Sequence, residues 1–355
     1  MSPRQRFLTA LHCGIPDRVP VSEYLFSRRL QKEILGYTTE LYDGESQIRM
    51  AEKLGLDAVW IPANGFCGLE ESAHAVNESY IDEWGVGYIK NGWPIMVQRE
   101  VPVKSKEDWS HYEMPRPDAP YRTKMIRDAM RANERDIGIN AGFLGPFTMM
   151  YWYLMDLETL SFMIYDDPTL IHEMCRAYTR WVLECAQLVL QCGRIDSFNI
   201  SDDWGGTDSL LFSPQDLRTF FIPPFRAMVQ GLKSSGVPVI MHNDGRISDV
   251  LDDLVNTGIS GYHPVERAAG MDLAAVKERY RGRICPIGNV NNKTTLVNGT
   301  AGDVERETAE CLRLAAPGGG YILASDHSFH DDIPSANIFA LIETAKRFGK
   351  YPLKF

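Results

Sequence analysis

Residues 238–245 read PVIMHNDG, an apolar run ending on His242, Asn243, Asp244 and Gly245. Alternation along a strand puts His242 and Asp244 on one side of the chain, so both can face the same ligand. A neutral imidazole beside a carboxylate can hold a divalent metal, move a proton or hydrogen-bond a substrate. The plainer reading is that Asp244 caps the helix begun by RISDVLDDL. Other segments end the same way. Asp202 and Asp203 precede Trp204-Gly205-Gly206, and paired carboxylates can raise one another's pKa and serve as an acid, bind a cation or orient a neighbour. His263 and Glu266 follow one apolar run, Asn289 and Asn291 another, and Asp326-His327 with His330 a third. Four of the eight histidines, His242, His263, His327 and His330, sit at three such ends. His242, Asp244 and His327 together make a nitrogen and oxygen set suited to zinc with an open position, with Glu266 and His330 as substitutes.

The elements that must position these residues alternate. Apolar runs that read as strands cover 19–25, 57–63, 138–144, 197–203, 238–244, 259–265, 284–290 and 320–326. Amphipathic stretches lie around and between them at 2–13, 46–54, 121–135, 168–192, 214–235, 246–257, 271–281, 301–315 and 334–348. Eight strands alternating with helices predict an α/β protein, the closed (β/α)8 TIM barrel, with its active site at the C-terminal strand ends. The polar residues above fall at those ends, as do Glu23, Asn64 and the segment Phe143 to Phe147. Residues 67–117 break the pattern. Their alternating residues, with turn signals at Val86-Gly87 and Asn91-Gly92, predict antiparallel hairpins inserted after the second strand. The chain is expected to form one barrel domain over 1–355 that carries this insertion.

Composition narrows the function. The chain has 355 residues, 44% hydrophobic and 24% charged, with a formal net charge of −10. That acidic balance lacks the electrostatic footprint for nucleic acid or an anionic membrane. Seven cysteines without a C-x-x-C pair fit free thiols in a reducing cytoplasm. No apolar run reaches membrane-spanning length. The GGG of APGGGYILASD precedes a strand and reads as a turn, since it lacks phosphate-loop spacing. FLGPFTMMYWYLMD reads as helix core, or else Phe147, Met150, Trp152 and Trp204 wall a pocket for a flat apolar ligand. Phe143, His263 and Asn289 are further candidate substrate contacts.

These residues resemble the uroporphyrinogen decarboxylase superfamily over essentially the whole chain. The resemblance rests on PRQRFLTAL…PDRVPV, GPFTMMYWY…DDPTLI, DDWGG…LFSPQDLRTFFIPPFRAMVQGLK, HNDG, GNVN and GGGYILASDH…IPSANIFALIE, taken in order. It implies the same (β/α)8 barrel. Its decarboxylases carry an Arg-rich MRQAGR loop after the first strand and an Asp after the second. Here those regions read EYLFSRRLQKE and AVWIPANG, with Arg28 and Arg29 as a remnant. The other branch holds zinc-dependent, corrinoid-linked methyltransferases, whose thiol-methylating members have a His-x-Cys pair and a distant Cys. In this chain the pair reads His242-Asn243-Asp244, and His327 stands for the distant Cys. The resemblance therefore implies a zinc site of nitrogen and oxygen ligands, suited to polarising an oxygen.

The function implied is demethylation of an O-methyl substrate, with Asp203 or zinc stabilising the departing oxygen. The methyl group would pass to Co(I) of a separate corrinoid protein, and a homodimer is left open. The rivals are decarboxylation of a tetrapyrrole, which needs basic residues around the cavity, and a barrel that binds a corrinoid or porphyrin without turnover.

Overall fold

The computed structural model describes residues 1–39, 43–63, 77–90 and 96–354. In chain order the strands are β1 (Ser22–Glu23), β2 (Ala58–Pro62), β3 (Ser79–Ile81), β4 (Gly87–Lys90), β5 (Met96–Glu100), β6 (Gly138–Leu144), β7 (Ser197–Ser201), β8 (Val239–His242), β9 (Gly261–His263), β10 (Cys285–Val290) and β11 (Ile322–Ser325). β1, β2 and β6 to β11 pair in that order, all parallel. Each of the eight expected segments contains one of them. β6 is buried at every position, as a strand with both faces covered must be. Gly142 on β6 lets the Trp60 indole cross the barrel interior, because a Cβ there would collide with that ring.

The helices form the outer layer. Pro168–Gln191 shows why: Asp167 accepts from the Leu170 N–H, Pro168 opens the first turn, and Leu170, Met174, Tyr178, Val182, Cys185 and Val189 share a buried stripe at helical spacing. Short helices also lie outside the expected ones, among them Arg28–Leu35, Lys106–His111, Leu157–Asp166 and Asn292–Leu296. Among the described residues no helix is long and apolar enough to cross a membrane. The described cysteines are free.

β3, β4 and β5 form a separate antiparallel sheet within the expected insertion. Its first turn comes earlier than Val86-Gly87. Asp82 Oδ1 accepts from the N–H groups of Trp84 and Val86, and Gly85 takes a positive φ of 78°, which is turn chemistry suited to Asp and Gly. Gly87 lies inside β4. The Asn91-Gly92 signal falls outside the described residues, as does Asn64. The sheet is anchored by Trp84, fully buried with its ring 4.7 Å from Trp181, and by Arg122, which grips Glu83 at 2.9 and 2.8 Å.

Two buried carboxyl groups hold the barrel, Asp57 and Glu23. At the N-terminal end Asp57 is buried between Arg6 (2.5 Å) and Arg18 (2.7 Å). At the seam the Leu323 N–H donates to the Pro20 carbonyl (2.9 Å), and Val21 bridges Leu323 in parallel. Glu23 completes this seam. Its fully buried carboxylate accepts from the N–H groups of Ser325 (2.8 Å) and Tyr24 (3.0 Å). Burial pushes its pKa up to about 8, against the pull of those donors.

Glu23 thus keeps a proton in the folded chain that it loses when unfolded at neutral pH. Its contribution is fully present below about pH 4.3 and is lost as pH rises through about 8. Glu23→Gln is expected to lose this slope: relative to wild type, its urea stability improves by on the order of 3 kcal/mol between pH 5.5 and 8. A difference that does not change with pH would mean the carboxyl is ionised throughout. Asp57→Ala strands two arginines and is expected to cost about 3–5 kcal/mol in the same assay.

Candidate metal centre and its cavity

Three neighbouring strands end in register at the mouth. Ser201 pairs with His242, and His242 with His263. The ladder then continues into the loops, where the Asp202 N–H donates to the His242 carbonyl and the Asn243 N–H to that of His263, both at 2.9 Å. His242 Nδ1 lies 2.7 Å from His263 Nδ1, with ring centroids 5.0 Å apart. Tyr24 packs on both rings, at 5.3 and 5.0 Å. Burial first, then the neighbouring His242 and His327, hold the His263 pKa well below its ordinary value. His263 is therefore neutral, and one of the two facing Nδ1 atoms donates to the other. With His242 as the donor from Nδ1, its Nε2 lone pair is turned to a ligand.

Carboxylates meet that nitrogen. His242 Nε2 is 3.6 Å from Asp244 Oδ1, and His327 Nε2 is 3.4 Å from Asp244 Oδ2. Ligand atoms of Asp203, His242 and Asp244 all lie within 4.8 Å of one another. Asp203 is held there by its N–H donating to Thr148 Oγ1 (2.8 Å) and by the Asp244 N–H donating to its Oδ1 (2.9 Å). Burial and the adjacent Asp244 push the Asp203 pKa up. Asp244 Oδ1 is buried with no hydrogen-bond partner. An orphaned carboxylate oxygen, a second carboxylate and an imidazole lone pair fit a divalent metal such as zinc. The expected set of His242, Asp244 and His327 is drawn together here, and Asp203 joins it.

The other expected residues take different places. Asp202 is fully buried, and both its oxygens are engaged: Oδ1 accepts from the Thr148 N–H (2.7 Å) and Oδ2 from Trp204 Nε1–H (2.8 Å). Burial pushes its pKa up to about 7. The acidic pair thus divides, with Asp202 bracing the loop and Asp203 facing Asp244. Glu266 accepts from the Gly245 N–H (2.6 Å) and pairs with Lys293 Nζ (3.0 Å), outside the cluster of Asp203, His242 and Asp244.

A cavity of about 690 Å³ opens beside the cluster, lined by Asp244 and His327 together with Phe26, Glu266, Asn292, Lys293, Asp326 and His330. Gly205 and Gly245 line it too, and their backbones press together, since a Cβ on Gly245 would collide with Gly205. The expected aromatic wall is elsewhere. Phe147 packs on Phe221 at 4.6 Å, Trp204 on Phe225 at 5.2 Å and Phe143 on Phe198 at 6.0 Å, while Met150 is fully buried. Trp152 is 48% exposed. Asn289 Nδ2 donates to the Val265 carbonyl (2.8 Å). None of these six, nor His263, is among the described residues of the cavity wall. Within GPFTMMYWY, Phe147 packs toward the helix at 214–233, while Thr148 braces Asp202 and Asp203. Phe26, Asn292 and Lys293 line the cavity without having been singled out, and Asp326, placed at a strand end beside His327, had been given no role.

The cavity is acidic. Among its described residues the one lysine, Lys293, is paired with Glu266, and there is no arginine. Arg28 donates to the Thr39 carbonyl and Arg29 to that of Ile333.

A family model described as uroporphyrinogen decarboxylase (URO-D) matches residues 2–348. The chain belongs to the URO-D family. Within it, a uroporphyrinogen decarboxylase from Anaeromyxobacter dehalogenans (strain 2CP-C) is 24% identical, with 97% of this chain and 99% of that protein aligned. One from Trichodesmium erythraeum (strain IMS101) is 23% identical over 74% of this chain and 72% of its own length. A solved methyltransferase from Methanosarcina mazei superposes with a TM-score of 0.74 at 20% identity, covering 98% of this chain and 99% of that one. The same barrel fold is thus found in a protein named a methyltransferase.

The cluster makes a direct prediction for equilibrium dialysis with zinc. Wild type is expected to bind about one ion per chain, and His242→Ala and Asp244→Ala to lose it. His263→Ala, which frees the His242 ring, is expected to weaken binding about 10–100-fold. Glu266→Gln should retain it. Equal binding by wild type and Asp244→Ala would exclude the cluster as a metal centre.

Proposed function

We propose that this URO-D family member is a zinc-dependent methyltransferase that transfers a methyl group from an O-methylated aromatic substrate to the Co(I) corrinoid of a partner protein. The observation that carries this reading is the cluster of Asp203, His242 and Asp244, with His327 beside it, bordering an acidic cavity. The likeness to a methyltransferase barrel supports it. Zinc held by His242 Nε2 and the Asp203 and Asp244 carboxylates, with His327 at hand, would supply Lewis acidity toward the ether oxygen.

The chain's own groups do the remaining work. His263 and Tyr24 fix the His242 ring, and Asp202 fixes the loop that carries Asp203. Glu266 and Lys293 hold Gly245 and so the backbone after Asp244. When the methyl group departs, its bonding pair stays on oxygen, and that oxygen must be stabilised or protonated. His330, half-buried on the cavity wall with its pKa lowered by burial, can exchange a proton there.

Tetrapyrrole decarboxylation is the second reading, favoured by the names of the curated relatives. It requires cationic recognition of several carboxylates, whereas Asp244, Glu266, Asp326, Asp331 and Asp332 line this cavity.

The test is formation of methylcorrinoid, followed by absorbance, when zinc-loaded protein is mixed with a methoxybenzene and a reduced corrinoid protein. Wild type should transfer, and Asp244→Ala should fall by about 100-fold or more. Carboxyl loss from uroporphyrinogen, without methyl transfer, would establish the decarboxylase instead.

A further inference from the structure

The cavity wall carries a second group of polar atoms that the metal centre does not use. Asp326 is 3% exposed and Asn292 4% exposed, and both line the cavity. Asp326 Oδ1 accepts from the Asn292 N–H at 2.6 Å, which locks the two residues together. Asp326 Oδ2 has no hydrogen-bond partner. Asn292 Nδ2 donates to the Ser328 carbonyl at 2.9 Å, which sets the amide's orientation and leaves Oδ1 as the other end. That oxygen also has no partner. Two buried acceptors on one cavity wall are costly when unmet.

What meets them must donate. A carboxylate or phenolate offers acceptors only, whereas a primary ammonium offers three N–H donors and a positive charge that suits an acidic wall. The surroundings reinforce this. Glu266 and Asp244 lie close enough to act on Asp326 electrostatically, Asp331 and Asp332 are on the same wall, and Lys293 is engaged by Glu266. Charge-assisted hydrogen bonds are the strong ones.

We propose that Asp326 Oδ2 and Asn292 Oδ1 form a donor-recognising subsite that binds a protonated amine on the substrate, so that the methyl donor is a cationic, amine-bearing methyl ether. The assignment of the ether to the neighbouring cluster rests on the function proposed above; the amine subsite stands on its own geometry. The two meet in the sequence, because Asp326 directly precedes His327 at the end of β11.

Three probes of one size separate the chemistries: 4-methoxybenzylamine, 4-methoxybenzyl alcohol and 4-methoxybenzoate, each titrated calorimetrically into zinc-loaded protein without any corrinoid partner. The amine is expected to bind at least about ten-fold more tightly than the alcohol, and the benzoate least. Asp326→Asn should lower amine affinity about ten-fold or more while changing alcohol affinity less than about three-fold. Asn292→Ala should act in the same direction, and both variants should retain zinc and their near-ultraviolet dichroism. Unchanged amine affinity in folded Asp326→Asn would mean that water alone satisfies the oxygen and would overturn the proposal. So would tighter binding of the benzoate, or no binding of the amine. Selective amine binding without methyl transfer in the corrinoid assay would leave the subsite standing and remove the methyltransferase reading.

Discussion

The closure of the last barrel strand against the first is the constraint on which the mouth depends. β11 delivers Asp326 and His327, β1 leads into Tyr24 and Phe26, and the two meet only because the ring closes. Few backbone hydrogen bonds do this: β1 is two residues long, and the Glu23 side chain substitutes for ladder pairing by accepting from the Ser325 N–H. Beyond it the pairing resumes, with the Phe329 N–H donating to the Tyr24 carbonyl and the Phe26 N–H to that of Phe329. A side chain can bridge where backbones diverge. The cost is a carboxyl removed from water, which burial resolves by keeping it protonated.

A second consequence of the same geometry is the concentration of negative charge. Parallel strands all point their C-terminal ends at one opening, so the acids of several loops converge there. Asp203 and Asp244 face each other. In the protein interior such repulsion is relieved by protonation or by a bound cation. The orphaned Asp244 oxygen and the free His242 nitrogen make a metal the fitting partner on one side of the cavity. Asp326 and Asn292 present the same problem on the same wall, as buried acceptors without partners.

The barrel was legible because its signals are local. Short apolar runs between amphipathic stretches recur eight times, and each strand of the barrel lies inside its expected segment. The meeting of His242, Asp244 and His327 at the mouth was legible for a related reason: strand alternation and strand ends are one-dimensional properties, readable from spacing and residue type. Asp202 and Asp203 read together as an acid, cation-binding or orienting pair because nothing in DDWGG says that Asp202 turns toward Thr148 and Trp204 while Asp203 turns toward Asp244. The aromatic wall failed on the same ground. Phe147 and Met150 are apolar enough for either core or pocket, and only the neighbouring helix at 214–233, packed against Phe147 through Phe221, decides between them. The first hairpin turn came earlier than expected because Asp82, through its hydrogen bonds to Trp84 and Val86, outweighed the Val86-Gly87 signal.

Gly205 and Gly245 leave one stretch of the cavity wall as bare backbone, two loops in contact with no side chain between them. Natural variation cannot easily write on that stretch: any larger residue at Gly245 must push the Gly205 loop, and with it the backbone beside Asp203. Diversity in what a barrel of this build accepts must therefore accumulate on the opposite bank, around Phe26, Asn292, Asp326 and His330. A change of diet would be recorded there, while the glycine seam stayed silent.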